Sequence, residues 1–207
     1  AFKHFPIDLT NASTSDASNE TQSAVGPDQG SVSVLNAVVS ICKDADSALA
    51  ALEVNSVSDT AAAWVGDPGR SDLLGIAVVT DKSTRSVSWI TKALLTDSAV
   101  KKFLLDNWQF RGHNVKPLLR SLLHLDIDLK HMMLDTAIAA YLLDPSESRY
   151  EINQVVERYA GLVFAPSTTS TKEGQLSFDA VDSESSASAL AANNALGVCV
   201  VADLLVN

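Results

Sequence analysis

Carboxylates dominate the ionisable chemistry of this chain, with 25 Asp and Glu against 15 Lys and Arg. Asp126 and Asp128 alternate in the segment LDIDL, and in a strand that spacing puts both on one face. Exposure at the polar side of a connection explains them more simply. Asp67 and Asp72 flank the turn GDPGR, where Asp serves turn geometry. Asp135 precedes an Ala-rich apolar run and reads as a helix N-cap. Two-metal hydrolysis needs several converging carboxylates around ions about 3.5–4 Å apart. No local stretch supplies such a cluster.

The other reactive side chains point the same way. His4, His113, His124 and His131 are not spaced like a metal pair on one helix face and read as surface or packed imidazoles. Cys42 and Cys199 both sit in apolar company and read as buried thiols in a reducing cytoplasm. The sequence has no GxxxxGK[ST] phosphate loop, GxGxxG dinucleotide loop, GxSxG nucleophile elbow or HExxH zinc helix.

These side chains must be positioned by a mixture of strands and helices. Val32–Val39 and the short apolar run Thr60–Val65 are candidate strands, and Leu73–Val79 is dense in branched apolar residues, as a buried strand is. Arg85–Ile90 alternates like a half-buried strand, and Asp81–Thr84 is the intervening hairpin turn. Three successive antiparallel strands are expected, over 62–65, 73–79 and 86–90. Helices are expected over Asp44–Leu52, Thr96–Leu105, Val115–Leu123, Asp135–Leu143, Ile152–Tyr159 and Ser183–Leu205, with a further strand over Trp108–Gly112. Residues 1–31 read as an arm or linker, rich in polar residues from 11 onward, and 166–188 as a polar loop leading into the last helix.

Composition bounds the rest. Hydrophobic residues make up 46%, enough for an ordinary core. No apolar run approaches the roughly 20 residues of a membrane span, and the first ten residues do not form a secretory signal. The net charge of −10 opposes the phosphate backbone, and Lys101, Lys102, Arg111, Lys116 and Arg120 are too sparse for a DNA track.

The segment Trp108–Leu162 resembles the middle of the 3′→5′ exonuclease domain of bacterial family A DNA polymerases. Gly112-His113-Asn114 matches that family's Gly-x-Asn turn, Leu134-Asp135-Thr136 its helix-opening Asp-Thr, and Tyr141-Leu142-Leu143-Asp144-Pro145 its helix-closing Tyr-x-Leu-Asp-Pro. Ile152–Tyr159 is similar to the next family helix, Ala62–Val65 and Leu73–Ala77 to its first two strands, and Ala187–Val198 to its last helix. The resemblance implies a ribonuclease-H-like α/β fold, with a mixed sheet flanked by helices around it. It also implies where metal ligands would fall. The Asp-x-Glu motif lands on Val65 and Asp67, and a register two residues along puts Asp67 at its first acid. The Asn-x-x-aromatic-Asp motif keeps Asn114 but has Pro117 and Leu118 at its aromatic and acid. The Tyr-x-x-x-Asp motif lands on Leu190 and Asn194, so the tyrosine that orients the attacking water is a leucine.

Val65 and Leu118 offer a hard cation no oxygen, and Asn194 only a neutral one. The resemblance therefore implies an inactive exonuclease-like domain with no catalytic, metal or cofactor-binding residue. Its partner would be the polymerase domain of the same polypeptide, with DNA reached through that parent, weak or no DNA binding of its own, no membrane, and a cytoplasmic location. Since Val65 and Leu118 both lie in apolar stretches, an acid placed at either is expected to meet a desolvated site. Two rival readings stay open: an active nuclease using Asp67, Asp126 and Asp135, and a stand-alone interaction module of the same fold.

Overall fold

The computed structural model describes the backbone of residues 33–165 and 180–206. The arm expected over 1–31 and most of the polar loop expected over 166–188 lie outside the described residues. In chain order the elements begin with β1 Val34–Leu35, β2 Val38–Ile41, α1 Ala45–Glu53, β3 Ser58–Trp64, β4 Leu73–Asp81 and β5 Ser86–Thr91. They continue with α2 Lys92–Leu95, α3 Ser98–Asp106, β6 Gln109–Gly112, α4 Lys116–Leu123, β7 His131–Asp135 and α5 Thr136–Leu143. The last are α6 Ile152–Ala160, β8 Val163–Phe164 and α7 Ala180–Ala202.

Six strands form one sheet in the order β2-β5-β4-β3-β6-β7. β3, β4 and β5 are successive antiparallel neighbours, as expected, while β6 runs parallel to both β3 and β7. β4 is buried along most of its length because both faces are covered. One face packs on α1, α3 and α4 through Leu52, Ile76, Ile90, Leu104 and Leu122. The other packs on α6 and α7 through Val79, Val87, Val156, Ala195 and Leu196.

Several boundaries differ from expectation for identifiable reasons. The 32–39 strand is split at Asn36–Ala37, and β1 leaves the main sheet to pair with β8. The backbone N–H of Ala37 donates to Asn193 Oδ1 at 2.8 Å, which anchors that break to α7. The helix expected from Thr96 starts at Ser98, because Asp97 caps it by accepting from Ala99 N and Val100 N. β3 begins earlier than expected, at Ser58. Its polar start is buried and satisfied: Ser58 Oγ accepts from the Trp108 indole at 2.9 Å, and Thr60 Oγ1 donates to the Ala77 carbonyl at 2.8 Å. Asp126 and Asp128 are not in a strand. Asp126 has φ of +56° in the turn after α4, and the strand comes later, at β7.

Over Glu184–Ala202, α7 is long and apolar enough to cross a membrane by length and composition. Its apolar character comes mainly from Ala and Val interspersed with Ser and Asn, so no contiguous apolar run marks it in the sequence. Ala191, Ala192, Ala195, Leu196 and Cys199 bury it against the sheet, which is how a core helix meets the same criterion.

Candidate functional site

β3 and β6 run parallel and are paired only at Ser58↔Phe110 and Asp59↔Arg111. Beyond those pairs a crevice opens at their carboxyl ends, beside the point where the sheet changes from antiparallel to parallel, and such crevices are where open α/β sheets bind ligands. It is a cavity of about 230 Å³. Thr60, Ala61, Ala62 and Trp64 of β3 form one wall, and Gly112 to Val115 with Pro117 and Leu118 form another. Glu151 and Ile152 come from the start of α6, and Asn194 from α7.

The wall after β6 is held by Asp135. Its carboxylate accepts from Asn114 N, Val115 N and Ala137 N, each at 2.9 Å, so it caps α5 and fixes the loop where Asn114 takes φ of +49°. His113 Nδ1 lies 2.9 Å from Thr136 Oγ1. Burial pushes the His113 imidazole below its ordinary value, against the opposing pull of Asp135, the Tyr150 backbone and Glu151. It is therefore neutral at pH 7 and brings no cation into the crevice.

Leu118 and Asn194, two of the residues singled out from the sequence, line this same cavity. Leu118 is buried and packs in the core under α4. Val65, Asp67 and Leu190 are not among the described residues lining it. Val65 is 70% exposed, in the loop after β3, so the desolvated site expected there does not exist. Asp67 is exposed, and its backbone carbonyl closes the turn by accepting from Arg70 N, Ser71 N and Ser71 Oγ. Leu190 is exposed on α7, one helical turn before Asn194. On the strand wall the crevice is faced by Ala61, Ala62 and Trp64 instead.

The Gly66–Ser71 turn closes over this end of the sheet. Pro68 enters the cavity wall, and Gly69, at φ of +70°, comes so near Pro117 that an added Cβ would lie 2.8 Å from its Cα. The turn thus packs onto the first turn of α4, next to Leu118. Asp67, Asp126 and Asp135, the displaced-acid set, do not converge: Asp135 is spent on backbone amides, and Asp126 is exposed 3.9 Å from Lys101. Among the described residues no three His, Cys, Asp or Glu side chains meet in a metal-binding group. Among the described residues of the cavity wall Glu151 is the one carboxylate.

A second polar site, which the sequence reading missed, lies at the start of β3. Asp59 is nearly fully buried and receives both Arg111 Nε at 2.6 Å and Nη2 at 2.8 Å, while Nη1 reaches Asp203 at 2.6 Å. The two carboxylates hold the guanidinium well above its ordinary value, and Arg111 in turn holds Asp203 below the usual carboxylate range. Burial, with Asp59 beside it, pushes the Cys199 thiol up to about 12.

A six-stranded mixed sheet with three successive antiparallel strands at its centre, β2 parallel to β5 at one edge, β6 and β7 parallel on the other side, and helices on both faces, is a ribonuclease-H-like architecture. Residues 67–162 match the family model described as DNA polymerase I, ribonuclease H-like domain. Over that segment the chain is similar to the ribonuclease H-like domain of DNA polymerase I. None of the curated proteins is similar enough in sequence to match the chain.

Among solved structures, the POL domain of Pol1 from M. smegmatis, in complex with DNA primer-template and dNTP, is 20% identical with a TM-score of 0.58. That match covers 80% of this chain and 26% of the Pol1 chain, so the domain spans about a quarter of the polymerase structure it resembles. Escherichia coli RNase D, an exoribonuclease involved in structured RNA processing, is 18% identical with a TM-score of 0.57, covering 82% of this chain and 44% of its own. Brucella melitensis NrnC is 16% identical with a TM-score of 0.51, covering 83% and 80%. At these identities the structural likenesses concern the fold.

Proposed function

We propose that this domain is a non-hydrolysing relative of the polymerase I exonuclease, kept as a structural platform for a polymerase of the same polypeptide that carries out DNA synthesis in replication and repair. The observation that carries this reading is the chemistry of the crevice wall. Where a two-metal site needs converging carboxylates, Ala61, Ala62, Trp64, Leu118 and Asn194 face the cavity, with Glu151 alone at its edge. A single carboxylate leaves two divalent cations without compensating charge.

The platform role is supported by an apolar surface on β7 and α5. Met132, Met133, Ile138, Tyr141, Leu142 and Leu143 are all exposed, and β7 is the terminal strand of its sheet. Exposed large apolar side chains beside an open sheet edge are a feature of protein contacts. The last helix, α7, offers less surface for such a contact, since it spends one face on its own sheet. Two buried free thiols, Cys42 and Cys199, fit a reducing cytoplasm.

The test is degradation of labelled single-stranded DNA by the purified chain in Mg²⁺ or Mn²⁺. The platform reading expects background rates in both. Metal-dependent shortening from the 3′ end, abolished by EDTA, would replace it with that of an active exonuclease.

A further inference from the structure

We propose that the hollow on the outer side of the Gly66–Ser71 turn is a binding site for a phosphate group. It lies between that turn, the start of α2 and the end of α4, and encloses about 230 Å³. Arg70, Lys92 and His124 line it together. That brings two cations and an imidazole together in a chain whose net charge is −10, and neither Arg70 nor His124 has an ion-pair partner among the described residues.

A second observation independently asks for an acceptor. Ser121 lines the same hollow and is 6% exposed. Its Oγ accepts the Trp64 indole N–H at 2.8 Å, while its own proton has no acceptor among the described residues. That leaves the Ser121 hydroxyl with a proton to donate to an acceptor oxygen in the hollow. Hydroxyl donor, guanidinium fork, ammonium and imidazole together match an oxyanion with several acceptor oxygens, and a guanidinium fork suits phosphate geometry in particular.

The backbone amides of Arg70 and Ser71 are already committed to the Asp67 carbonyl, so side chains alone would hold the anion. Asp72 is the competitor. Its carboxylate lies 3.4 Å from Lys92 Nζ and is 81% exposed, and an ion pair in that setting is weak enough to give way. The inference does not depend on whether the crevice hydrolyses DNA, because none of the four donor residues lines it. The phosphate could be the free anion or the phosphate of a nucleotide, since both present the same oxygens.

The test is titration of the full chain, followed by amide chemical shifts at matched ionic strength, with inorganic phosphate, with dAMP and with deoxyadenosine. The site predicts saturable shifts confined to residues 69–72, 92 and 121–125, with a midpoint in the millimolar range. Arg70→Ala and Lys92→Ala should each weaken binding at least about fivefold, and Asp72→Asn should tighten it. If dAMP binds through the same residues more tightly than inorganic phosphate, the natural source is a nucleotide; if phosphate binds as well or better, it is the free anion. Shifts that never saturate, shifts unchanged in both cation variants, or equal shifts with deoxyadenosine would each overturn the proposal.

Discussion

Within seven residues, β3 meets two opposite electrostatic solutions. Near its start, Asp59 is buried as a carboxylate because Arg111 meets both of its oxygens and Asp203 takes the remaining guanidinium nitrogen. Toward its end, Ala61, Ala62 and Trp64 face Leu118 and Asn194 across a crevice with one peripheral carboxylate. Buried charge survives where a fixed partner compensates it. At the crevice, compensation for a cluster of acids would have to come from cations outside the chain, and those positions are neutral. The first region is therefore expected to be sensitive to losing a charge and the second to gaining one.

The largest effect is expected from Arg111→Met, which strands the Asp59 carboxylate in the core. Breaking a buried pair from one side costs about 3–5 kcal/mol, readable as a lower urea midpoint. Adding Asp59→Leu should recover much of that loss. If Arg111→Met alone costs under about 1 kcal/mol, this end of β3 is not held by its ion pair.

Leu118→Asp reverses the logic at the other end, adding charge where α4 is buried. A cost of about 2–4 kcal/mol is expected in denaturant unfolding. One acid cannot hold two divalent ions, so Mn²⁺ should not restore it, and nuclease activity should stay at background. Gly69→Ala is smaller, at about 1–3 kcal/mol, because its left-handed backbone and its approach to Pro117 both resist a Cβ. A neutral thermal shift would mean the turn does not pack on α4 as described.

Acid titration gives a subtler difference. Arg111 depresses the Asp203 carboxyl in the folded state. Its contribution is thus fully present above the unfolded value of about 3.9 and lost as pH falls through the lower folded value. Asp203→Asn should flatten the acid limb of the stability curve below about pH 4 and leave the neutral region only slightly changed, since Asp203 is largely exposed. The smallest effect is expected at Val65→Asp, within about 0.5 kcal/mol of the parent, because that side chain faces solvent.

Much of the fold was legible because the strands announce themselves. LLGIAVV and SVSWI carry branched and aromatic residues at strand spacing, and Asp135 and Pro145 bracket a helix. Asp59 hid the start of β3, since a strand that opens Ser-Asp-Thr looks like a loop until Arg111 is folded against it. Only tertiary pairing across 52 residues makes that carboxylate a core group. β7 escaped for a related reason: its exposed Met132 and Met133 break the alternation that marks a half-buried strand. At the crevice, the motifs after β6 and on α7 led to Leu118 and Asn194, which do line it. The short strand before the GDPGR turn carries no register signal in its sequence, so the motif's acid positions fell on Val65 and Asp67, whereas Ala61, Ala62 and Trp64 line the crevice. Glu151 carries no local pattern, His113 fills only the variable place of the Gly-x-Asn turn, and both reach the cavity through the fold.

The central claim is that the crevice does not hold a divalent metal pair. The direct measurement is a thermal melt of the unmodified chain across a Mn²⁺ series, with and without EDTA. A ligand bound only by the folded state must raise the melting temperature as its concentration rises. The account predicts a midpoint that stays flat into the millimolar range. A saturable upward shift that EDTA reverses, and that Glu151→Gln or Asn194→Leu removes, would contradict it.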